Sequence, residues 1–276
     1  MAFPTNNYPQ ITTFYESGYP PACGMGCQKQ KPSLQTLSDH FEEVDNLSDL
    51  MRAYEAVPTK NILMRNAPLD KEDVLKLAST LGEPFLHGAF PNVRDIRFDP
   101  NVGAASIALS SGAHPIHLDG TFAETPPKEF LLHFKISDPE GGGCSVFYSV
   151  QDIIAKCPWA LVDAAMTAEV SYARKRHDGE ATDDMIGHMI EKDGRGGVVL
   201  RWRYDDQVQP EVVASKGKPI EEFIDWVRAY FEETTPISYQ AQSGDTIVIR
   251  QRYYLHGRTA LSSVHSPRHA YRTWIY

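Results

Sequence analysis

Two histidines and an aspartate carry the most chemical information in this sequence. His117 and Asp119 lie in the triplet His117-Leu118-Asp119, and His256 lies in Tyr254-Leu255-His256-Gly257-Arg258. In an extended segment residues i and i+2 face the same side, so the His117 imidazole and the Asp119 carboxylate can converge on one ion. A histidine from an adjoining strand would add a third donor. Two imidazoles and one carboxylate on one face of an octahedron leave three positions open, the arrangement of non-haem iron(II) oxygen chemistry. Zinc takes the same donors and activates water, so a zinc-dependent hydrolase also stays open at this point. So does a non-catalytic protein that binds small acids. His265 and His269 are rival third ligands. His269 is disfavoured, because the even residues of the terminal strand face the site and the odd ones face away.

That strand holds the second feature. Arg268, Ala270, Arg272, Trp274 and Tyr276 share one face of an extended segment. A planar guanidinium meets a carboxylate with two parallel hydrogen bonds. Arg268 and Arg272 can therefore serve small acids in one cavity, although surface ion pairing would also account for arginines here.

Positioning these residues requires strands. Phe130, Leu132, Phe134 and Ile136 give a period-two apolar face, Gly141-Gly142-Gly143 marks a turn, and SVFYS restarts a strand. Strands are also expected at 61–65, 198–204, 237–240, 246–250 and 268–276. Helical spacing runs through 34–57 as one or two helices, through 149–169, and through a stripe of Ile220, Phe223, Ile224, Val227 and Phe231. Asp70 is an expected N-cap for a helix closed by Gly82. Residues 1–32, rich in Pro, Gly, Asn and Tyr, read as a flexible N-terminal arm, and 33–276 as a single domain. Helices before and between the strands point to a β-sandwich flanked by helices.

The whole chain narrows the partners. Its 276 residues carry a formal charge of −9, which disfavours nucleic acid and anionic membrane as partners. No apolar run approaches the roughly 18 residues of a membrane span. The expected partner is a small-molecule substrate, with a homo-oligomer left open. Cys23 and Cys27 in CGMGC lack a second pair to complete a metal site and read as free thiols of a cytoplasmic protein.

Taken together, HLDGTFAETPPKEFLL, GGCS, GDTIVIRQRYYLHGRTAL and PRHAYRTWI resemble the taurine dioxygenase family of iron(II)- and 2-oxoglutarate-dependent oxygenases, over roughly residues 60–276. The resemblance implies a double-stranded β-helix, or jelly roll, mainly β with flanking helices. It implies Fe(II) held by His117, Asp119 and His256, with 2-oxoglutarate and O2 as co-substrates. Arg268 matches the arginine that holds the distal carboxylate of 2-oxoglutarate, and Ser145 stands where a threonine often assists it. Arg272 matches a contact to the substrate's anionic group, and His87 resembles a substrate-contacting histidine. Phe90 replaces a tyrosine of the family, and Arg250-Gln251-Arg252 stands where Asp-Asn-Arg is frequent, so taurine itself is not the expected substrate. The implied reaction is hydrogen abstraction from a small anionic substrate, an amino-acid derivative. It ends in hydroxylation, with desaturation or isonitrile formation as variants.

Overall fold

The structure, a computed structural model, describes residues 34–87, 90–101, 107–173, 185–192, 197–205 and 208–276. The expected arm, Cys23 and Cys27 lie outside these residues. Ten strands make two sheets. The larger contains β1 (Phe41–Val44), β2 (Asn61–Met64), β3 (Arg94–Arg97), β5 (Glu129–Ile136), β8 (Thr246–Arg250) and β10 (His269–Ile275), in spatial order β1-β2-β8-β5-β10-β3. The smaller contains β4 (His114–His117), β6 (Ser145–Ser149), β7 (Ile237–Tyr239) and β9 (Tyr254–Arg258), in order β7-β6-β9-β4. Only the β1–β2 pair is parallel among the pairs of these two sheets.

The alternation of side chains sorts the core into layers. Between the sheets lie Phe130, Phe134, Phe147, Ile247, Ile249, Tyr254 and Ala270. On the outer face of the larger sheet, Leu131, Val248, Tyr271 and Ile275 pack against Leu50 of α2 (Leu47–Ala56) and Val74 and Leu77 of α3 (Lys71–Leu81). Outside the smaller sheet, Ile116, Leu118, Val146, Tyr148 and Leu255 meet Ile153 of α4 (Val150–Lys156), Leu161 of α5 (Trp159–Thr167), and Phe223 and Val227 of α6 (Ile220–Glu233). This is a jelly roll with helices on both outer faces.

Local chemistry explains most boundaries. Asp70 accepts from the Asp73 N–H at 2.9 Å while Asp73 accepts from the Asp70 N–H, so α3 begins on the expected reciprocal cap and ends before Gly82. Helical spacing over 149–169 hides a break: Pro158 lacks an N–H, and α4 and α5 form on either side of it. The expected helices over 34–57 are likewise interrupted. Leu34–His40 forms α1, but Phe41–Val44 forms β1, because pairing with β2 lets Phe41 enter the inter-sheet core and Val44 the outer one. The 198–204 strand is shorter than expected, at Val198–Leu200. On β5 the even face points inward, but Ile136 is exposed and the odd face is covered by helices instead of water. Among the described residues no helix is long and apolar enough to cross a membrane.

Candidate metal centre

β4 and β9 are hydrogen-bonded neighbours, and their register sets His117 opposite His256. Their ring centroids are 4.3 Å apart. Ile116 and Leu118 point to the outer core, so His117 and Asp119 point inward. The expected i, i+2 geometry holds in effect, although β4 ends at His117 and Asp119 begins a turn that Gly120 completes at φ 71. His117 Nε2 lies 3.3 Å from Asp119 Oδ1, and His256 Nε2 lies 3.8 Å from Asp119 Oδ2. One ligand atom from each residue lies within 4.8 Å of the others. Relative exposures of 0%, 3% and 8% for His117, Asp119 and His256 exclude bulk water as the partner of these groups.

Hydrogen bonding tests whether a cation fits. His117 Nδ1 sits 2.8 Å from the Pro115 carbonyl oxygen, which can only accept, so Nδ1 carries the hydrogen. In the neutral ring Nε2 is then a lone pair, buried without a hydrogen-bond partner and facing a carboxylate oxygen. Two acceptors so placed repel unless a cation lies between them. Burial, and then the neighbouring His117, hold His256 well below the ordinary histidine value, so it too is neutral near pH 7 and able to donate a lone pair. Burial alone would raise Asp119. The Arg272 guanidinium, the largest opposing influence, overturns that and holds it well below the usual carboxylate range. A neutral His256 imidazole and an ionised Asp119 carboxylate are ligand states a divalent metal needs.

A second layer fixes these side chains. Trp274 Nε1 donates to Asp119 Oδ2 at 2.8 Å, and Arg272 Nη1 lies 3.3 Å from both carboxylate oxygens. Arg272 therefore meets an internal acid, and that acid belongs to the triad. Gln251 is fully buried; its Oε1 accepts from the Asp119 backbone N–H at 2.8 Å while its Nε2 donates to the Pro127 carbonyl at 3.0 Å. Arg201, also buried, donates to the carbonyls of Thr121, Ala123 and Glu124 and pairs with Glu191. It thereby holds the loop that follows the Asp119–Gly120 turn.

Arg268 immediately precedes β10 and is buried above the Phe134 ring, 5.2 Å from guanidinium carbon to centroid. Arg258 of β9 is buried near it and donates to the carbonyls of Ser110, Gly112 and Thr259. Burial lowers both guanidinium groups, Arg268 to about 10 and Arg258 to about 9, and Arg268 adds to the lowering at Arg258. Asp138 opposes the lowering at both, and it is held by Ser262 and Ser266. Two cations against one carboxylate leave a buried site short of negative charge. Ser145 is buried directly across from Arg258. Gly143, at φ 67, leaves room for the arginine: a Cβ there would come within 2.7 Å of Arg268 Cδ.

The rival histidines separate clearly. His265 is exposed, and His269 bonds Asp95 at 2.7 Å on the other side of the strand. The His87 side chain lies outside the described residues. Gln251, Arg201 and Arg258 were not anticipated as site residues. For Gln251 the signal was its place just before the distal histidine segment; Arg201 and Arg258 act on backbone carbonyls, which leave no motif.

Comparison with known proteins gives the family and the fold. The model of the taurine catabolism dioxygenase TauD, TfdA family matches residues 28–274. Comparison with curated protein sequences gives no match. An asparagine oxygenase solved with Fe(II), 2S,3S-3-hydroxyasparagine and succinate is 20% identical, with a TM-score of 0.63 over 83% of this chain and 78% of that one. PvcB, an iron- and α-ketoglutarate-dependent oxygenase from an isonitrile synthetic pathway, is 20% identical, with a TM-score of 0.60 over 84% and 80%. A taurine dioxygenase from Burkholderia xenovorans is 16% identical, with a TM-score of 0.62 over 86% and 87%. Neither a hydrolase nor a binding protein without turnover gains support from these matches. The chain belongs to the TauD/TfdA dioxygenase family and is an iron(II)- and 2-oxoglutarate-dependent oxygenase.

Proposed function

We propose that His117, Asp119 and His256 hold the iron, that Arg268 assisted by Ser145 receives the distal carboxylate of 2-oxoglutarate, and that the substrate is a small anionic amino-acid derivative. The lone pair of His117 Nε2 facing Asp119 across 3.3 Å carries the first assignment. The uncompensated charge of the Arg258–Arg268 pair supports the second. Arg272 on the inner face of β10, beside the triad, supports the third, with His87 as a further contact from the sequence resemblance.

Iron with 2-oxoglutarate and O2 supplies the oxidising power for removing a hydrogen atom from the substrate, with hydroxylation as the default outcome and desaturation or isonitrile formation as variants. The chain's own residues do the rest. Pro115 fixes the His117 tautomer, Trp274 and Arg272 orient the Asp119 carboxylate, and Gln251 pins its backbone. Phe130, packed 4.4 Å from the His256 ring, helps to keep water from that ligand.

Anaerobic titration of the Fe(II)-loaded protein with 2-oxoglutarate tests the core of the proposal. A weak visible charge-transfer band should grow to saturation in the wild type and be missing in His256→Ala. A band that persists in His256→Ala would remove that residue from the ligand set.

A further inference from the structure

Ser145, Arg258 and His114 form one cross-strand row, because the register of β6, β9 and β4 sets Arg258 opposite Ser145 on one side and His114 on the other. The neighbouring row is Phe147, His256 and His117, and Phe147 packs in the core between the sheets. Residues two apart on a strand share a face, so Arg258 points to the same inner side as His256. Arg268 reaches the Ser145 end of this row. Its side chain passes Gly143, two positions before Ser145, so closely that a Cβ there would lie 2.7 Å from Arg268 Cδ. Two guanidinium groups therefore converge near Ser145.

Arg258 is buried and spends its donors on the backbone. Its Nη2 donates to the Ser110 and Gly112 carbonyls at 2.9 and 2.7 Å, and its Nη1 to the Thr259 carbonyl at 3.2 Å. Carbonyl oxygens satisfy N–H groups without cancelling a charge. A neutral amide side chain could cap backbone carbonyls without burying a cation, which is costly when no anion accompanies it. Among the described residues no carboxylate forms an ion pair with Arg258 or Arg268. The acid whose field reaches both is Asp138. Its oxygens accept from the Ser262 N–H and hydroxyl, the Ser266 hydroxyl and the Glu140 N–H, so it contributes charge without contact. Two cations and one anion leave one positive charge over. The distal carboxylate of 2-oxoglutarate neutralises that excess, whereas a pocket without Arg258 would already be neutral before the carboxylate arrived.

We propose that Arg258 supplies the second positive charge of the co-substrate pocket and thereby sets the preference for a 2-oxo acid with an anionic tail. The proposal rests on the reading of Arg268 as the clamp for that tail. Arg268 makes the contact. Arg258 acts through its charge, which the Ser110–Gly112 segment before β4 holds in place. In a buried pocket such a charge is weakly screened and counts for more than it would in water.

The probes are 2-oxoglutarate and 2-oxopentanoate, in which a methyl group replaces the distal carboxylate. Each is titrated into the Fe(II)-loaded protein under argon, and the charge-transfer band reads its affinity. The wild type should bind 2-oxoglutarate at least about a hundredfold more tightly than 2-oxopentanoate. Arg258→Gln keeps hydrogen-bond donors but removes the charge. It should weaken 2-oxoglutarate by about tenfold or more and leave 2-oxopentanoate within about threefold of wild type. Arg258→Lys keeps the charge and should stay within about threefold for both acids. Co(II) affinity should remain within about twofold of wild type in both variants, since the charge serves the co-substrate and not the metal. An unchanged preference in Arg258→Gln, equal weakening of the two acids, or a Lys variant as impaired as the Gln variant overturns the proposal. So does a parallel loss of Co(II) affinity, which would make Arg258 a brace for the strands. Should Arg258→Gln not fold, the Lys variant decides, and a loss of preference there of about tenfold overturns the proposal equally. The wild type separates the two levels. If it binds both acids alike, the Arg268 clamp falls and takes this inference with it; if it discriminates and Arg258→Gln does so as well, only Arg258 loses its role.

Discussion

Two of the three proposed ligands, His117 and Asp119, are oriented by neighbours that are not themselves ligands. For Asp119 one such neighbour is Gln251, whose amide satisfies one buried N–H and one buried carbonyl at once. Replacing it with Ala leaves both backbone groups unpaired, at about 1–3 kcal/mol each, and frees the turn that aims the carboxylate. Partners of this kind are typically worth 10–100-fold in metal affinity. Gln251→Ala should therefore weaken Co(II) or Fe(II) binding by at least about tenfold in a direct titration, and unchanged affinity would reduce Gln251 to a packing role. Arg268 makes a different prediction, because its burial carries a pH signature. Its guanidinium is lowered to about 10, so its positive charge is lost as pH rises through that value. The KM for 2-oxoglutarate should begin to rise as pH approaches about 9, where Arg258 is half-deprotonated, and climb more steeply through about 10. Truncating one partner of a buried charged pair costs roughly 2–5 kcal/mol. Arg268→Ala should thus show a KM raised by about thirtyfold or more, and it should lose the rise near pH 10. A wild-type profile that stays flat past that pH would move the clamp elsewhere. The residues proposed as the triad, and Arg268, were picked out in the sequence by their spacing and by the family resemblance. Gln251 and Arg201 were not, since their bonds reach across 132 and about 80 positions to backbone atoms that any residue supplies.

Period and punctuation revealed most of the elements. The α3 cap, the inward even face of β5, β8 from Thr246 to Arg250 and the stripe of α6 all follow from local patterns that tertiary packing reinforced. β1 did not follow, because its strand state is imposed by pairing with β2 and by two cores on opposite sides, neither visible within Phe41-Glu42-Glu43-Val44. The glycine triplet was read as a turn, and its finer role emerges only in three dimensions. At Gly142 a Cβ would come within 2.1 Å of the Ser262 backbone nitrogen, and at Gly143 it would meet the Arg268 side chain. The turn therefore does more than reverse the chain: it lets the segment after β9 lie close enough to bring Arg268 under β6. Gly143→Ala combines a left-handed backbone with that clash. It should raise the KM for 2-oxoglutarate several-fold while Co(II) affinity stays within about twofold of wild type. Equal losses of both would mean that the turn supports the whole site and not the arginine alone.

Across the whole molecule the site joins the two sheets at their facing inner surfaces, beside the core that packs between them. The smaller sheet supplies His117 and His256, the turn after β4 supplies Asp119, and the larger sheet supplies Arg272 and Trp274 to orient it. Without a cation, this junction holds a buried carboxylate and a lone pair facing each other. Anything that binds the folded state alone stabilises it by RT ln(1 + [L]/Kd), about 2.7 kcal/mol at a hundredfold excess over Kd. Chains a little smaller than this one shift by about 2–4 °C per kcal/mol. Fe(II) with 2-oxoglutarate under argon should therefore raise the melting temperature by roughly 5–10 °C. Either component alone should give less, because the co-substrate needs both the metal and the Arg268 site. In His256→Ala the rise should shrink to that of 2-oxoglutarate on its own, and in Arg268→Ala to that of the metal on its own. Scanning calorimetry of the three proteins with each ligand set distinguishes this linkage from general salt effects, which would shift all three alike. A wild-type shift no larger than that of His256→Ala would mean that the proposed ligands do not hold the metal, whatever the catalytic assay shows.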